Sequence, residues 1–199
     1  MRVVALTGAG ISVASGLPTY TEASREKFSN LGTNEQMMAL YWDDLMQWLN
    51  AQPNRAHLAL AEHGVWVVTQ NIDNLHQRAG SKRLIELHGN LREFYCAQCG
   101  HLLETRPARG NYPTCPLDGT RLRPNIVFYG ESVHRFDEAM QWVLRSDHLL
   151  VIGTSLTVFP AAGLVGLAQR RGVPVTVINQ DADVVVPEVL ERIKRGVRA

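Results

Sequence analysis

The chain has 199 residues, 45% of them hydrophobic and 20% charged, with a formal net charge of +1. That size suits one domain or one domain with a small insertion, and the balance is that of a soluble globular protein. The near-neutral charge argues against nucleic acid as a partner, no run is long and apolar enough to span a bilayer, and MRVVALTG is too short for a secretory leader.

Three cysteines, two of them spaced C-x-x-C, argue against a disulfide framework. They suit a metal site and a reducing, cytoplasmic compartment. Arg192, Lys194, Arg195 and Arg198 read as a solvated helix end.

In chain order, Val3 to Leu6 is a short β-branched run that stops at Thr7-Gly8-Ala9-Gly10. It predicts a strand buried on both faces. Gly8 and Gly10, followed by Ile11-Ser12, would let a pyrophosphate approach the backbone at a helix start. Position 13 is Val rather than the third glycine of G-x-G-x-x-G, so a plain tight turn explains these residues equally well. Residues 21–54 have a helical period, with Met37, Leu40, Tyr41, Leu45 and Trp48 on one apolar face. A helical pattern from Asn54 to Glu62 leads to a second run, Val65 to Val68, ending at Thr69-Gln70-Asn71-Ile72-Asp73. The third, Leu84 to Leu87, ends at His88-Gly89. Residues 91–124 hold all three cysteines and show little periodicity. Ile126 to Tyr129 reads as a further strand ending at Gly130-Glu131, and Leu149 to Ile152 as another ending at Gly153-Thr154-Ser155. A helical pattern over Phe159 to Arg170 precedes Val175 to Ile178, which stops at Asn179-Gln180-Asp181.

Strand runs alternating with helical patterns predict an α/β fold. The expected form is a Rossmann-like doubly wound parallel sheet with a small inserted domain, part helical and part cysteine-bearing. The main domain takes residues 1–20, 55–90 and 125–199, and the small domain residues 21–54 and 91–124. In such sheets a ligand binds outside the carboxyl ends of the strands. Here those ends collect Gly8, Gly10, Gln70, Asn71, Asp73, His88, Thr154, Ser155 and Asn179. Turn-making explains any one of these loops, but weakly explains all of them together.

The segment Thr69 to His76 resembles the sirtuin signature. Gly8-Ala9-Gly10-Ile11-Ser12 with Ser15-Gly16-Leu17-Pro18, then Pro53-Asn54 with Ala56-His57, Glu86-Leu87-His88-Gly89, Leu122-Arg123-Pro124, Gly130-Glu131 and Gly153-Thr154-Ser155-Leu156 follow in that family's order. The resemblance implies an NAD-dependent protein-lysine deacylase that transfers a neutral acyl group to ADP-ribose and releases nicotinamide. It implies that Gly8, Ala9, Gly10, Gly153, Thr154 and Ser155 line the phosphates and ribose of NAD. Gln70 and Asn179 would contact ribose hydroxyls, Asn71 and Asp73 the nicotinamide ribose and carboxamide, and Ile72 the ring. His88 matches the general base, its ordinary pKa of about 6.5 suiting proton removal near neutrality, with Asn71 beside it at the catalytic centre. The partner implied is an acyl-lysine peptide paired along Ile126, Val127 and Phe128. Tyr41 falls on the helix that reads the acyl group, where Tyr41-Trp42-Asp43-Asp44 puts an acid in place of the Arg that succinyl-lysine requires.

Cys96, Cys99, Cys115 and Asp118 resemble the family's structural zinc site, with a carboxylate as the fourth ligand and His101 as a second candidate. The resemblance implies that the cysteine-bearing part of the small domain is zinc-ribbon-like. The opening motif departs from the family at Pro18-Thr19-Tyr20-Thr21, where Pro-x-Phe-Arg is usual. Tyr20 keeps an aromatic face toward NAD, while Thr21 removes a guanidinium, Arg25 being a nearby substitute, so a loose lid and slow turnover are expected. The chain after Asn179 is also shorter than is usual. NAD glycohydrolysis and a weakly catalytic NAD-binding module are the alternative functions; intact Asn71, Asp73 and His88 favour an enzyme.

Overall fold

The computed structural model describes residues 1–19, 35, 36, 38, 39, 42, 48, 50–128 and 130–196. Its elements are β1 (Val3–Thr7), a 3-10 helix (Ala9–Ser15), α1 (Arg55–Glu62), β2 (Trp66–Thr69), α2 (Leu75–Arg78), β3 (Leu84–Glu86), β4 (Gly89–Tyr95), β5 (Leu102–Glu104), β6 (Arg123–Ile126), α3 (Phe136–Leu144), β7 (His148–Ile152), α4 (Gly163–Arg170), β8 (Val175–Ile178) and α5 (Ala182–Lys194). The parallel sheet has the order β3-β2-β1-β7-β8. The chain therefore runs outward from β1 in one direction and returns to its other side at β7. In such folds the switch of direction between β1 and β7, at the carboxyl ends of the strands, is where ligands bind.

The unbroken apolar strands follow from helices on both faces. Ala5, Val67, Leu150 and Ile152 pack with Ala56 and Leu60 of α1 and Val186 and Leu190 of α5. Val4, Leu6, Val68, Leu149 and Val151 pack the other way, with Ala139 and Val143 of α3 and Leu164 and Ala168 of α4. Both sets of alternating side chains are buried, so no alternation appears in the sequence. β8 departs from this expectation. It is an edge strand, and Val177 is 54% exposed.

Two other expectations are corrected. The run that begins at Ile126 does not add a strand to the parallel sheet: Ile126 ends β6, which pairs antiparallel with β4 in a second sheet of order β5-β4-β6, and Tyr129 lies outside the described residues. Apolar composition alone does not tell which sheet a strand joins. The helix expected from Phe159 begins at Gly163, after a succession of turns. The second sheet carries its own core, in which Phe94, Leu91, Leu122 and Ile126 pack with Met38 and Trp42. Trp42 also stands edge-on to Tyr112, ring centroids 5.4 Å apart. Met37, Leu40, Tyr41 and Leu45 lie outside the described residues. β4 begins two residues before the expected boundary at 90/91, and β6 ends two residues beyond that at 124/125. A half-buried bidentate pair joins the two sheets, Arg92 Nη1 and Nη2 donating to the Glu86 carboxylate at 2.8 and 2.7 Å. No helix among the described residues is long and apolar enough to cross a membrane.

Beneath the carboxyl edge of the parallel sheet, His57 of α1 and His76 of α2 are 0% and 2% exposed, with ring centroids 4.8 Å apart. Burial lowers the His57 pKa to about 4 and pushes His76 well below its ordinary value, the neighbouring His57 adding to the effect. The unfolded chain therefore takes protons on both residues before the folded chain does. Stability is full above about pH 6.5 and falls as the pH drops toward 4, and His57 alone removes about 2 kcal/mol between pH 7 and 5. Asp73 works oppositely at lower pH, because burial raises its folded pKa. Urea denaturation at pH 7 and 5 should show a smaller pH-dependent loss in His57→Gln than in the parent. Equal losses would contradict the assignment.

Candidate active site

At the carboxyl ends of β1 and β7, the loops clasp each other through backbone atoms. Gly8 N–H donates to Ile152 C=O at 3.0 Å, Gly10 N–H to Gly153 C=O at 2.8 Å, and Gly153 N–H to Ile178 C=O at 2.8 Å. A Cβ on Gly8 or Gly10 would stand 2.8 or 2.6 Å from the Gly153–Thr154 backbone and side chain. At Gly153 (φ +61) it would stand 2.2 Å from Ile11 N. The glycines are thus demanded first by loop-against-loop contact, a reason absent from the spacing. Ala9 opens the 3-10 helix within this clasp. Gln70 Nε2 donates to Thr154 Oγ1 at 3.1 Å, and Asn179 Oδ1 accepts the Thr154 N–H at 3.2 Å. Ser155 Oγ pairs with Thr157 Oγ1 at 2.8 Å. The groups after β1, β2, β7 and β8 therefore form one rim.

Asn71 leans across that rim. Its Nδ2 reaches Gly8 C=O, Ser12 Oγ and Asp73 Oδ2, each at 3.2 Å. Ser12 Oγ donates to Asp73 Oδ2 at 2.7 Å, while Asp73 Oδ1 accepts the Leu75 N–H at 3.0 Å. Burial raises the Asp73 pKa against these hydrogen bonds, which favour its ionised form. Ser12 is 1% exposed and was not among the residues expected at the site. Its signal was a hydroxyl where the glycine turn enters an apolar helix. Asn54 was also passed over. It caps α1 through the Ala56 N–H at 3.0 Å and holds the glycine loop by donating to Ile11 C=O at 2.8 Å. Ile72 packs in part against the core of the small sheet.

His88 stands at the same edge. Its Nδ1 lies 2.9 Å from Gln70 C=O, an acceptor, so Nδ1 carries the proton and Nε2 keeps its lone pair. Burial lowers its pKa, the Gln70 bond opposes this, and nearby His134 lowers it further. The ring is therefore neutral at pH 7 and able to take a proton at Nε2. Val127 N–H donates to the His88 carbonyl at 3.0 Å and Phe128 N–H to Glu131 Oε2 at 3.0 Å. Two donors of the segment expected to pair with a peptide are thus bonded within the chain. Tyr20, Thr21, Arg25, Tyr41 and Asp44 lie outside the described residues.

Away from this edge, the donor atoms of Cys96, Cys99, Cys115 and Asp118 all lie within 4.8 Å of one another. Cys99 Sγ is 3.6 Å from Cys115 Sγ, and Cys96 Sγ is 3.3 Å from Asp118 Oδ2. Tetrahedral zinc with bonds of about 2.3 Å to sulfur needs sulfurs about 3.8 Å apart, so the set fits zinc. The two halves are copies of one turn. Gly100 N–H donates to Cys96 C=O and Gly119 N–H to Cys115 C=O, both at 2.9 Å, with both glycines at positive φ. Asp118 therefore occupies in the second turn the place of Cys99 in the first. His101 is not in the cluster. The Thr120 N–H holds the Asp118 carboxyl below the usual carboxylate range, ready to ligate. Metal analysis should find one zinc per chain, and Asp118→Ala should weaken zinc retention against a chelator by more than about tenfold. Unchanged retention would exclude Asp118 as a ligand.

Comparison with known proteins places this geometry. The family model described as Sir2 family matches residues 8–160. NAD-dependent protein deacylase 1 of Archaeoglobus fulgidus is 37% identical, the match covering 98% of this chain and 93% of the relative. A Sir2 homologue solved with NAD superposes with a TM-score of 0.86 at 32% identity, covering 99% of this chain and 91% of the other. A Sir2 solved with a p53 peptide and NAD gives 0.82 at 31% identity, covering 98% and 94%.

Proposed function

The chain belongs to the Sir2 family, and from that premise we propose that it is an NAD-dependent protein-lysine deacylase that releases nicotinamide and leaves the acyl group on ADP-ribose. The observation that carries this reading is His88, whose Nδ1 is engaged by the C=O of Gln70, the residue before Asn71, which leaves Nε2 as the basic nitrogen. NAD, when bound, supplies an electrophilic sugar carbon and a good leaving group.

The rest is the work of this chain's residues. The cradle of Gly8, Ala9, Gly10, Gly153, Thr154 and Ser155 holds the phosphates, and the contacts between these loops keep it rigid. Gln70 and Asn179 orient ribose hydroxyls. Asn71 and Asp73 fix the nicotinamide end, with Ile72 against the ring, and the family resemblance adds Tyr20 to the same group. His88 accepts a proton at Nε2 from a ribose hydroxyl. The acyl-lysine peptide, which is the partner in place of nucleic acid or membrane, lies along Ile126 to Phe128. Adjacency supports this, since Val127 bonds the His88 backbone. The family resemblance assigns Tyr41 to the acyl group, and an acid at position 44 favours neutral acyl groups. Three cysteines without a disulfide suit the cytoplasm.

Mass spectrometry of NAD products with and without an acetyl-lysine peptide tests the reading. Peptide-dependent acyl-ADP-ribose is the expected result. ADP-ribose formed equally without peptide would replace the reading with NAD glycohydrolysis, and no turnover would leave a binding module.

A further inference from the structure

Thr7 and Thr69 close β1 and β2 and are partners in the parallel register. Their hydroxyls meet at 2.8 Å, Thr7 donating, and both side chains are buried at 0% and 2% exposure. Thr69 Oγ1 also accepts the Asn71 N–H at 3.0 Å. Thr7 Oγ1 gives its proton to Thr69, so it accepts the Nε2–H of His76, 2.9 Å away. A continuous chain of hydrogen bonds thus runs from a core imidazole to the backbone of the residue that gathers Gly8, Ser12 and Asp73.

Packing alone does not account for the two imidazoles. His57 Nδ1, His57 Nε2 and His76 Nδ1 are buried without a hydrogen-bond partner. Such orphaned polar atoms are costly in a protein interior, and an apolar pair of similar volume would avoid the cost. The hydrogen bond that His76 does make leads to Thr7. Burial keeps both rings neutral through the physiological range, and Thr7 Oγ1, its own proton given to Thr69, selects the His76 tautomer with the N–H at Nε2.

We propose that His76 is a positioning residue for the loop of residues 70–73, acting through Thr7 and Thr69 on the Asn71 backbone. Only the kinetic part of its test rests on the deacylase reading. The variants are Thr7→Val, Thr69→Val and His76→Phe, with His76→Gln restoring an N–H donor. Valine matches threonine in shape, so the first two keep the packing if His76→Phe does not fold.

Amide exchange by NMR should show Asn71 N–H exchanging at least about tenfold faster in each disrupted variant, with β7 amides such as Leu150 still protected. With acetyl-lysine peptide, kcat should fall about tenfold or more while KM for NAD moves less than about threefold. The Thr7→Val, His76→Phe double variant should be no worse than its worse parent, and His76→Gln should recover most of the loss. Unchanged Asn71 exchange, exchange that rises equally in β7, or losses that multiply in the double variant would each overturn the proposal. If the parent protein forms no acyl-ADP-ribose, the deacylase reading fails, and the exchange measurements still decide this one.

Discussion

His88→Ala is expected to bind NAD with near-parental affinity and to lose about 10²- to 10⁴-fold in turnover, the usual cost of a missing general base. The expectation rests on the separation of His88 from the cradle. The glycine clasp, Gln70, Thr154 and Asn179 bond to one another without the imidazole. The His88 ring uses Nδ1 on the Gln70 carbonyl and contributes its other nitrogen to chemistry. The sign of the pH dependence follows from the same geometry. Burial lowers the His88 pKa below its ordinary 6.5, so the ring stays neutral and competent as the pH falls through 6.5. Activity declines only below that value, and the acid limb of kcat/KM should lie under pH 6.5 in the parent and vanish in the residual activity of the variant. Calorimetric NAD titration beside product analysis checks both parts. Near-parental turnover in His88→Ala would remove the residue from its role, and lost NAD affinity would make it part of the cradle.

Gly153→Ala should damage stability and NAD binding together. An added Cβ would stand 2.2 Å from Ile11 N and 2.5 Å from Gly10 C, both backbone atoms that cannot rotate away, at a φ of +61 that disfavours a side chain. Relief requires moving the loop after β1 from the loop after β7, which breaks the Gly10–Gly153 hydrogen bond of 2.8 Å and disturbs the Thr154–Asn179 contact. A loss of roughly 3 to 5 kcal/mol is expected, at the upper end for single substitutions. Affinity for ADP-ribose should fall at least about tenfold in whatever fraction remains folded. Gly172→Ala is a suitable control, since it also has positive φ but open space around its Cα. Its cost should be only the backbone term of about 1 to 2 kcal/mol. Equal effects at the two positions would mean that the clasp is not rigid.

Part of this site could be read along the chain because its groups lie just beyond apolar runs, and a run of that kind ends where the sheet ends. Gln70, Asn71 and Asp73 after β2, and Thr154 and Ser155 after β7, were visible for that reason. Ser12, Asn54, Thr7, Thr69 and His76 were not assigned places at it. A buried hydroxyl or imidazole looks the same in sequence whether it fills space or aligns a neighbour, and only its bonding partners distinguish the two.

The sequence by itself determined the parallel sheet, its carboxyl-end loops, the family and the cysteine donors of the metal turn. Each is written in local terms: unbroken Val and Ile runs buried on both faces, motifs in order, and C-x-x-C spacing. The tertiary structure alone decided that Ile126 belongs with Gly89 in an antiparallel sheet and that β8 is an exposed edge, and it left His101, the second candidate, outside the cluster that Asp118 joins. It also decided that Gly153 is the counterpart of Gly8 and Gly10. Strand partnership, burial and ligand distance depend on which distant segments meet, and a pattern of side chains along one segment carries no record of its neighbours in space.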